Sequence, residues 1–320
     1  MADTSERDKT HELTRKIKAL AIDIGFDACG ISKVAPLPNE RKRLDHWLAK
    51  GCHAEMDYMA GNRELRISPA KLLPGARSII SLVASYYPKK EMQADGRYRI
   101  ARYALGRDYH SVLKRKMKKL MALLQQENSG TISRAFTDSA PVFEKALAVR
   151  AGLGWIGKNT CLIRRETGSF IFTSEIITSR ELDYDEPFTR EYCGTCTRCI
   201  DACPTGALSP YSLDARKCIS YLTIEYKGKD LPGDMKRQFG ERIFGCDTCQ
   251  EVCPWNRAPA VSRIHEFEPL PVIRELEKPG WKDLTETGFN EKFRGSPLKR
   301  LGYNGLKRNI EFVNEYEQKE

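Results

Sequence analysis

Eight of the eleven cysteines fall between Cys193 and Cys253. The first run reads Cys193-x2-Cys196-x2-Cys199-x3-Cys203-Pro204. With this spacing bacterial ferredoxins wrap three thiolates around one cubane and send the fourth to a second cluster. A second run, Cys246-x2-Cys249-x3-Cys253-Pro254, repeats the last three positions, and Ile243 stands where its first cysteine would be. Two 4Fe–4S clusters need eight thiolates, and Cys218 is the only other cysteine between the runs. The crossing rule assigns Cys193, Cys196, Cys199 and Cys253 to cluster 1, and Cys203, Cys218, Cys246 and Cys249 to cluster 2. Paired CxxC motifs also build zinc sites, but a single run here offers too many ligands for one tetrahedral ion. Cys29, Cys52 and Cys161 lie outside the pattern and read as small buried hydrophobes.

Two neighbouring clusters conduct single electrons, and about 190 residues precede them. That is more chain than a simple carrier needs, so the clusters should feed a reaction centre in the first half. No flavin or nicotinamide fingerprint is present there. Gly152-Leu-Gly-Trp-Ile-Gly157 has the GxGxxG form but follows a helical pattern rather than a strand. The five histidines make no ligand motif.

The formal charge of +10 is concentrated in that first half. Residues 1–150 hold 28 Lys and Arg against 17 Asp and Glu; residues 151–320 hold 25 against 26. A basic field of this kind favours polyanions or serves solubility. A composition of 41% hydrophobic and 30% charged residues excludes a disordered tail or a membrane protein. Met1 to Thr10 is polar, and the strongest apolar run, Ile79 to Tyr87, is too short to span a bilayer. A cytoplasmic protein is expected.

The elements that must hold these groups read as follows. Apolar periodicity predicts helices over 10–24, 40–50, 111–127 and 141–151, and a closing basic helix over about 297–317. Strands are expected between Gly25 and Gly30, over Ser78 to Ser85 and over 169–179. A polar stretch runs from the cysteine region to about residue 290. The expected division is 1–180, a catalytic mixed α/β domain; 181–265, a ferredoxin-like double-cluster domain; and 266–320, an extension. The fold class is thus α+β or α/β followed by a ferredoxin-like module.

Several segments resemble the epoxyqueuosine reductase family. They are Ala101-Arg-Tyr-Ala-Leu-Gly-Arg-Asp-Tyr-His110, Thr137-Asp-Ser-Ala-Pro-Val-Phe-Glu-Lys-Ala146 and Ala151-Gly-Leu-Gly-Trp-Ile-Gly-Lys-Asn-Thr160. Asp214 to Glu225, Cys246 to Asn256, Phe293 to Arg300 and Gly305 to Asn309 fit as well. The resemblance spans about residues 10–310. It implies a cobalamin-binding domain related to reductive dehalogenases, two 4Fe–4S clusters, and a tRNA substrate bearing epoxyqueuosine at the wobble position of a GUN anticodon. Many family members add a helical-repeat domain, of which this chain has at most the first helix.

The resemblance also implies residue roles. Asp138 is the acid that protonates the departing epoxide oxygen, for which a raised pKa is expected; on residues alone it reads as an N-cap before Pro141. Corrin contacts are expected from Arg63, Ala101, Lys158, Asn159, Leu162, Thr173, Ser220 and Tyr221, with Gly154 and Gly157 allowing close backbone approach. Ser220 to Thr223 should lie between cluster 2 and the cobalt. Lys299, Arg300, Lys307 and Arg308 should meet tRNA, and Tyr109, Tyr221 or Tyr226 should stack on the wobble base. A monomer is expected, supplied by an external ferredoxin or flavodoxin, with no membrane partner. Two other readings stand beside this one. They are a corrinoid reductase of a small molecule and an electron-transfer subunit with a docking domain.

Overall fold

The computed structural model describes residues 2–89 and 96–317, with side chains for 6–89 and 96–314. Residues 1, 90–95 and 318–320, which fall within the expected domains, lie outside the described residues.

Four strands form the central sheet: β1 (Ala28–Lys33), β2 (Ser78–Ser85), β3 (Ser133–Phe136) and β4 (Ile171–Thr178). Their order is β1-β2-β4-β3, and every pairing is antiparallel. Ala28 pairs with Val83, Ser78 with Thr178 and Phe136 with Glu175. Helices α1 (Ala2–Asp23) and α2 (Tyr109–Glu127) cover one face. There Leu13, Ile17, Met117 and Leu120 pack on Ile80, Leu82 and Ile176. The short helix α3 (Glu144–Arg150) covers the other face, where Leu147 meets Ile79 and Ile177.

Burial on both faces explains why β2 is apolar along nearly its whole length, as a parallel strand would be. The first domain is therefore α+β. The close seat of α3 requires Gly30: a Cβ there would lie 2.1 Å from the Ala151 carbonyl oxygen. Strand β3 and the turns of the 266–292 stretch carry little periodicity and were not expected.

The expected division into three does not match the packing. Residues 266–314 share one core with parts of both preceding segments: Trp281, Phe293, Leu306 and Ile310 pack against Tyr98, Ile100, Ile243 and Phe244. Arg242–Phe244 also pairs in parallel with Arg99–Ile100. The cause is visible in helix α4 (Ile219–Ile224) and helix α5 (Gly302–Glu317). Fully buried Asn309 of α5 donates its Nδ2 to the Thr223 and Ile243 carbonyls, both at 2.9 Å. One amide thus fastens the C-terminal helix to the segments that carry Cys218 and Cys246.

Among the described residues no helix is long and apolar enough to cross a membrane.

Candidate active site

Asp138 sits on the loop between β3 and α3 with φ of +53°, a left-handed conformation that a non-glycine residue adopts at a cost. Its amide donates to Glu144 Oε1 at 2.6 Å, which fastens the turn to α3. Three donors converge on Oδ2 of Asp138. The Tyr109 hydroxyl donates at 2.5 Å, His110 Nε2 lies at 3.4 Å and Arg300 Nη1 at 3.8 Å. His110 Nδ1 in turn meets Asp108 Oδ1 at 2.7 Å. The Asp138 side chain is 49% exposed, so its carboxylate opens outward from this ring of donors.

The protonation pattern differs from expectation. Burial pushes the Asp138 carboxyl up, but the His110 and Tyr109 hydrogen bonds and the charges of His110 and Arg300 outweigh it, so its pKa is lowered. The excess proton sits on its neighbours. Burial disfavours charge on His110, yet hydrogen bonds to Asp108 and Asp138 raise its pKa to about 9. Burial, with the Asp138 charge, pushes Glu144 up to about 8. Asp138 thus sits beside an imidazole whose pKa is raised, rather than alone in a dry pocket.

Arg300 spans the site, its Nη2 bonding Glu225 Oε1 at 2.6 Å just beyond α4. Ala101, buried, faces Ile224 and Gly245: a Cβ on Gly245 would lie 2.5 Å from the Ala101 Cβ. Thr137 Oγ1 donates to the Thr173 carbonyl at 3.3 Å, placing β4 beneath the Asp138 loop. The structure thus gathers Ala101, Asp138, Thr173, Glu225 and Arg300 about one place, with Ser220 on the first turn of α4. The Thr173 and Ser220 hydroxyls are half-buried and have no side-chain hydrogen-bond partner among the described residues.

Other expected contacts are engaged elsewhere. Lys158 donates its Nζ to the Gly194 carbonyl at 2.6 Å and the Cys196 carbonyl at 3.1 Å. Asn159 donates Nδ2 to the Cys249 carbonyl at 3.4 Å. Both side chains brace cysteine loops, leaving only their backbone for a cofactor. Leu162 is buried in the core with Val83 and Ala148. Gly154 and Gly157 serve their own hairpin, since a Cβ on either would strike Ile163. Arg63 is paired with Asp45.

The tRNA expectations are also revised. Arg308 donates to the carbonyls of Gly228 at 2.7 Å, Tyr226 at 3.1 Å and Leu222 at 3.2 Å, an internal brace rather than a phosphate contact. Lys299 lies over the Phe289 ring at 4.9 Å and bonds Asn290, and Lys307 bonds the Lys282 carbonyl. None of the three expected stacking rings is free. Tyr109 is sandwiched between His110 and Phe172 at 4.1 and 4.2 Å. The Tyr221 hydroxyl accepts from the Glu55 amide at 3.1 Å, and the Arg308 guanidinium lies over Tyr226 at 5.6 Å.

Residues not singled out from sequence include His110, whose signal was its spacing two residues after Asp108, and Tyr58. Tyr58 is half exposed, and its ring lies within electrostatic reach of Glu225, Arg300 and Asp138. Its carbonyl is held by the buried Arg66 at 3.3 Å.

The cysteines fall into two neighbourhoods. Cys253 lies near Cys193 and Cys199, and Cys199 near Cys193 and Cys196. Cys218 lies near Cys246 and Cys203, and Cys249 near Cys246 and Cys218. Cys161 lies near Cys249 and so borders the second neighbourhood. No disulfide joins the cysteines, and among the described residues no three His, Cys, Asp or Glu side chains converge as a single metal ion would require.

Asn256, three residues after Cys253, locks the second motif to the sheet domain. Its Oδ1 accepts from the Ser169 amide at 2.7 Å, and its Nδ2 donates to Ser169 Oγ and to the Gln250 carbonyl, both at 2.8 Å.

Residues 66–139 match the family model described as "Epoxyqueuosine reductase QueG, DUF1730", and residues 192–256 match a 4Fe-4S double cluster binding domain. An epoxyqueuosine reductase of Cellulophaga algicola is 48% identical over 298 residues, 93% of this chain and 96% of that one. The Escherichia coli enzyme is 40% identical over 306 residues, covering 94% of this chain and 80% of the relative. A crystal structure of an epoxyqueuosine reductase with an epoxyqueuosine-modified tRNA-Tyr stem loop superposes with a TM-score of 0.87 at 31% identity, over 94% of this chain and 80% of that one. Alike in sequence and in fold over nearly its whole length, this chain belongs to the epoxyqueuosine reductase family of oxidoreductases.

Proposed function

We propose that this protein reduces epoxyqueuosine in tRNA to queuosine, with loss of the epoxide oxygen as water, using cobalamin and electrons relayed by two 4Fe–4S clusters. The observation that carries the reading is Asp138, half exposed, with three donors on one carboxylate oxygen and a protonated imidazole among them.

The residues present suit the cofactors. Two groups of four thiols, Cys193, Cys196, Cys199 with Cys253, and Cys203, Cys218, Cys246 with Cys249, offer the donor set that two cubanes take. The unpartnered hydroxyls of Thr173 and Ser220, beside the small buried side chain of Ala101, suit the amide-fringed edge and flat face of a corrin. Low-valent cobalt, when bound, supplies reducing power at the epoxide carbon.

The chain supplies the protons. An epoxide oxygen departs as a poor leaving group unless protonated. His110 Nε2 holds a proton 3.4 Å from Asp138 Oδ2, and the half-exposed Asp138 carboxylate borders the site. Transfer from imidazolium to carboxylate to substrate loads the acid only as the oxygen leaves, so Asp138 need not rest protonated. Asp108 steadies the ring through Nδ1, and Tyr109 fixes the carboxylate. Arg300 balances the anion and bridges to Glu225 beside the cluster-2 segment.

The test is anaerobic turnover of epoxyqueuosine tRNA with cobalamin and a low-potential reductant, followed by nucleoside mass spectrometry. Loss of one oxygen mass, abolished in Asp138→Asn with tRNA binding intact, is the expected result. No conversion by a protein with intact clusters and bound cobalamin would refute it.

A further inference from the structure

The two cysteine neighbourhoods differ in depth. Around the second group, Ala215, Ile219, Tyr221, Asp247 and Gln250 are all buried. Around the first, Gly194, Thr195, Thr197 and Arg198 are exposed. Cluster 2 lies inward, next to α4 and the Asp138 side of the molecule, and cluster 1 lies outward. Electrons from outside must therefore enter at the first group.

Beside that group the surface holds an open depression of about 640 Å³, lined by Cys253 and Pro254. Arg198 and Arg257 flank it, and neither guanidinium has a hydrogen-bond or ion-pair partner among the described residues. Two carboxylates also line it. Glu251 is balanced by Arg102 at 2.6 Å and Arg99 at 3.1 Å, while Asp201 accepts from the Thr197 hydroxyl at 2.6 Å. Two further cations frame the same loop. Lys158 sits on the Gly194 and Cys196 carbonyls, and Arg165 lies over the Tyr192 ring at 5.4 Å. Glu191, held by the Gly194 amide at 2.9 Å, is the other anion nearby. Unpaired guanidinia at the rim of a redox centre attract an anionic surface and orient it, which raises the association rate more than the final affinity.

We propose that this depression is the docking surface for a small acidic one-electron carrier protein. The proposal rests on the two-cluster reading above. Each encounter oxidises the carrier by one electron and reduces cluster 1 by one. Two encounters supply the two electrons that, with two protons, remove the epoxide oxygen as water.

The experiment uses the anaerobic protein with both clusters assembled, checked by iron content and visible absorbance. Cluster bleaching is followed by stopped flow with three reductants: a reduced flavodoxin, a reduced plant-type ferredoxin and dithionite. Arg198→Glu, Arg257→Glu and the double variant are compared with the wild type and with the conservative pair Arg198→Lys and Arg257→Lys. At low ionic strength the double charge reversal should slow reduction by an acidic carrier at least tenfold, and the lysine pair should stay within about threefold of wild type. Added salt should narrow the difference, and reduction by dithionite, a small anion that needs no docking surface, should slow far less than reduction by the carrier. Which carrier responds identifies the flavin or the iron–sulfur source. Equal carrier rates in wild type and double variant, or no reduction of wild type by either carrier while dithionite succeeds, would overturn the docking surface alone. Absence of cluster absorbance after reconstitution would refute the two-cluster reading itself, and this proposal with it.

Discussion

Asp108→Asn isolates the proton supply from the acid itself. Asp108 Oδ1 meets His110 Nδ1 at 2.7 Å and also accepts the His110 amide at 3.0 Å, a helix cap that asparagine retains, so the substitution removes the charge and leaves the cap. A hydrogen bond between charged groups contributes about 1.5–3 kcal/mol, and about 1.4 kcal/mol corresponds to one pKa unit. Losing it should lower the His110 pKa by one to two units from about 9, with Asp138 at 3.4 Å supplying what remains.

The sign of the pH effect follows. A raised histidine pKa stabilises the fold fully below its unfolded value of 6.5, and that stabilisation fades as pH rises toward 9. Asp108 itself has a lowered pKa, chiefly from its His110 hydrogen bond, so its share is lost only in acid, below the ordinary carboxylate range. The variant should therefore lose most thermal stability between about pH 4 and 6.5, and approach wild type near pH 9. The alkaline limb of the turnover profile should move from near 9 toward 7–8. At pH 8.5 that is a rate loss on the order of tenfold, with little change at pH 6.5. Histidine NMR titration and pH-dependent nucleoside analysis measure the two effects. A limb that stays near 9 while the His110 titration moves would refute the imidazolium as proton source.

The other expectations concern what holds the site in place. Gly30→Ala places a Cβ 2.1 Å from the Ala151 carbonyl; overpacking of this kind costs about 1–3 kcal/mol or more, read as a lower denaturation midpoint. Asn256→Ala strips three buried hydrogen bonds, two to Ser169 of the sheet domain and one to the Gln250 carbonyl within the second cysteine motif. It should cost about 2–4 kcal/mol and speed loss of cluster absorbance during urea unfolding; unchanged cluster retention would deny Asn256 its bracing role. Arg308→Ala should destabilise by about 2 kcal/mol, because it unpairs the carbonyls of Leu222, Tyr226 and Gly228. The salt dependence of its tRNA binding should stay as in wild type; a slope smaller by about one would restore it as a phosphate contact.

The legible part of this molecule was what local chemistry encodes. Strand β2 was placed at Ser78 to Ser85 because its apolar run has no polar interruption larger than serine, and the structure gives those limits. Helix α2 announced itself by the stripe of Val112, Leu113, Met117, Leu120, Met121 and Leu124, of which all but Met121 are buried. The cysteine motifs announced two clusters because closely spaced ligands are a local pattern. Strand β3 was missed since four residues with one buried side chain, Phe136, carry no readable period.

The misreadings at the site share a physical cause. A lysine or arginine in a sequence offers a charge, but only packing decides what consumes it. Lys158 was expected at the corrin and Arg308 at tRNA, and both side chains are used on backbone carbonyls of segments distant in sequence. Asp138 was expected to have a raised pKa because burial was the only effect visible without partners. Burial does push it upward, but Tyr109 and His110, 29 and 28 positions earlier, reverse the balance, and Arg300, from the far end of the chain, adds to them. Arg300 reaches the site because Asn309 anchors α5 to Thr223 and Ile243, a long-range link that no spacing rule contains. Through Arg300, the proton affinity of Asp138 thus depends in part on the same packing that binds the C-terminal helix to the cluster segments. Loosening that helix should alter the chemistry at Asp138 before it unfolds the sheet.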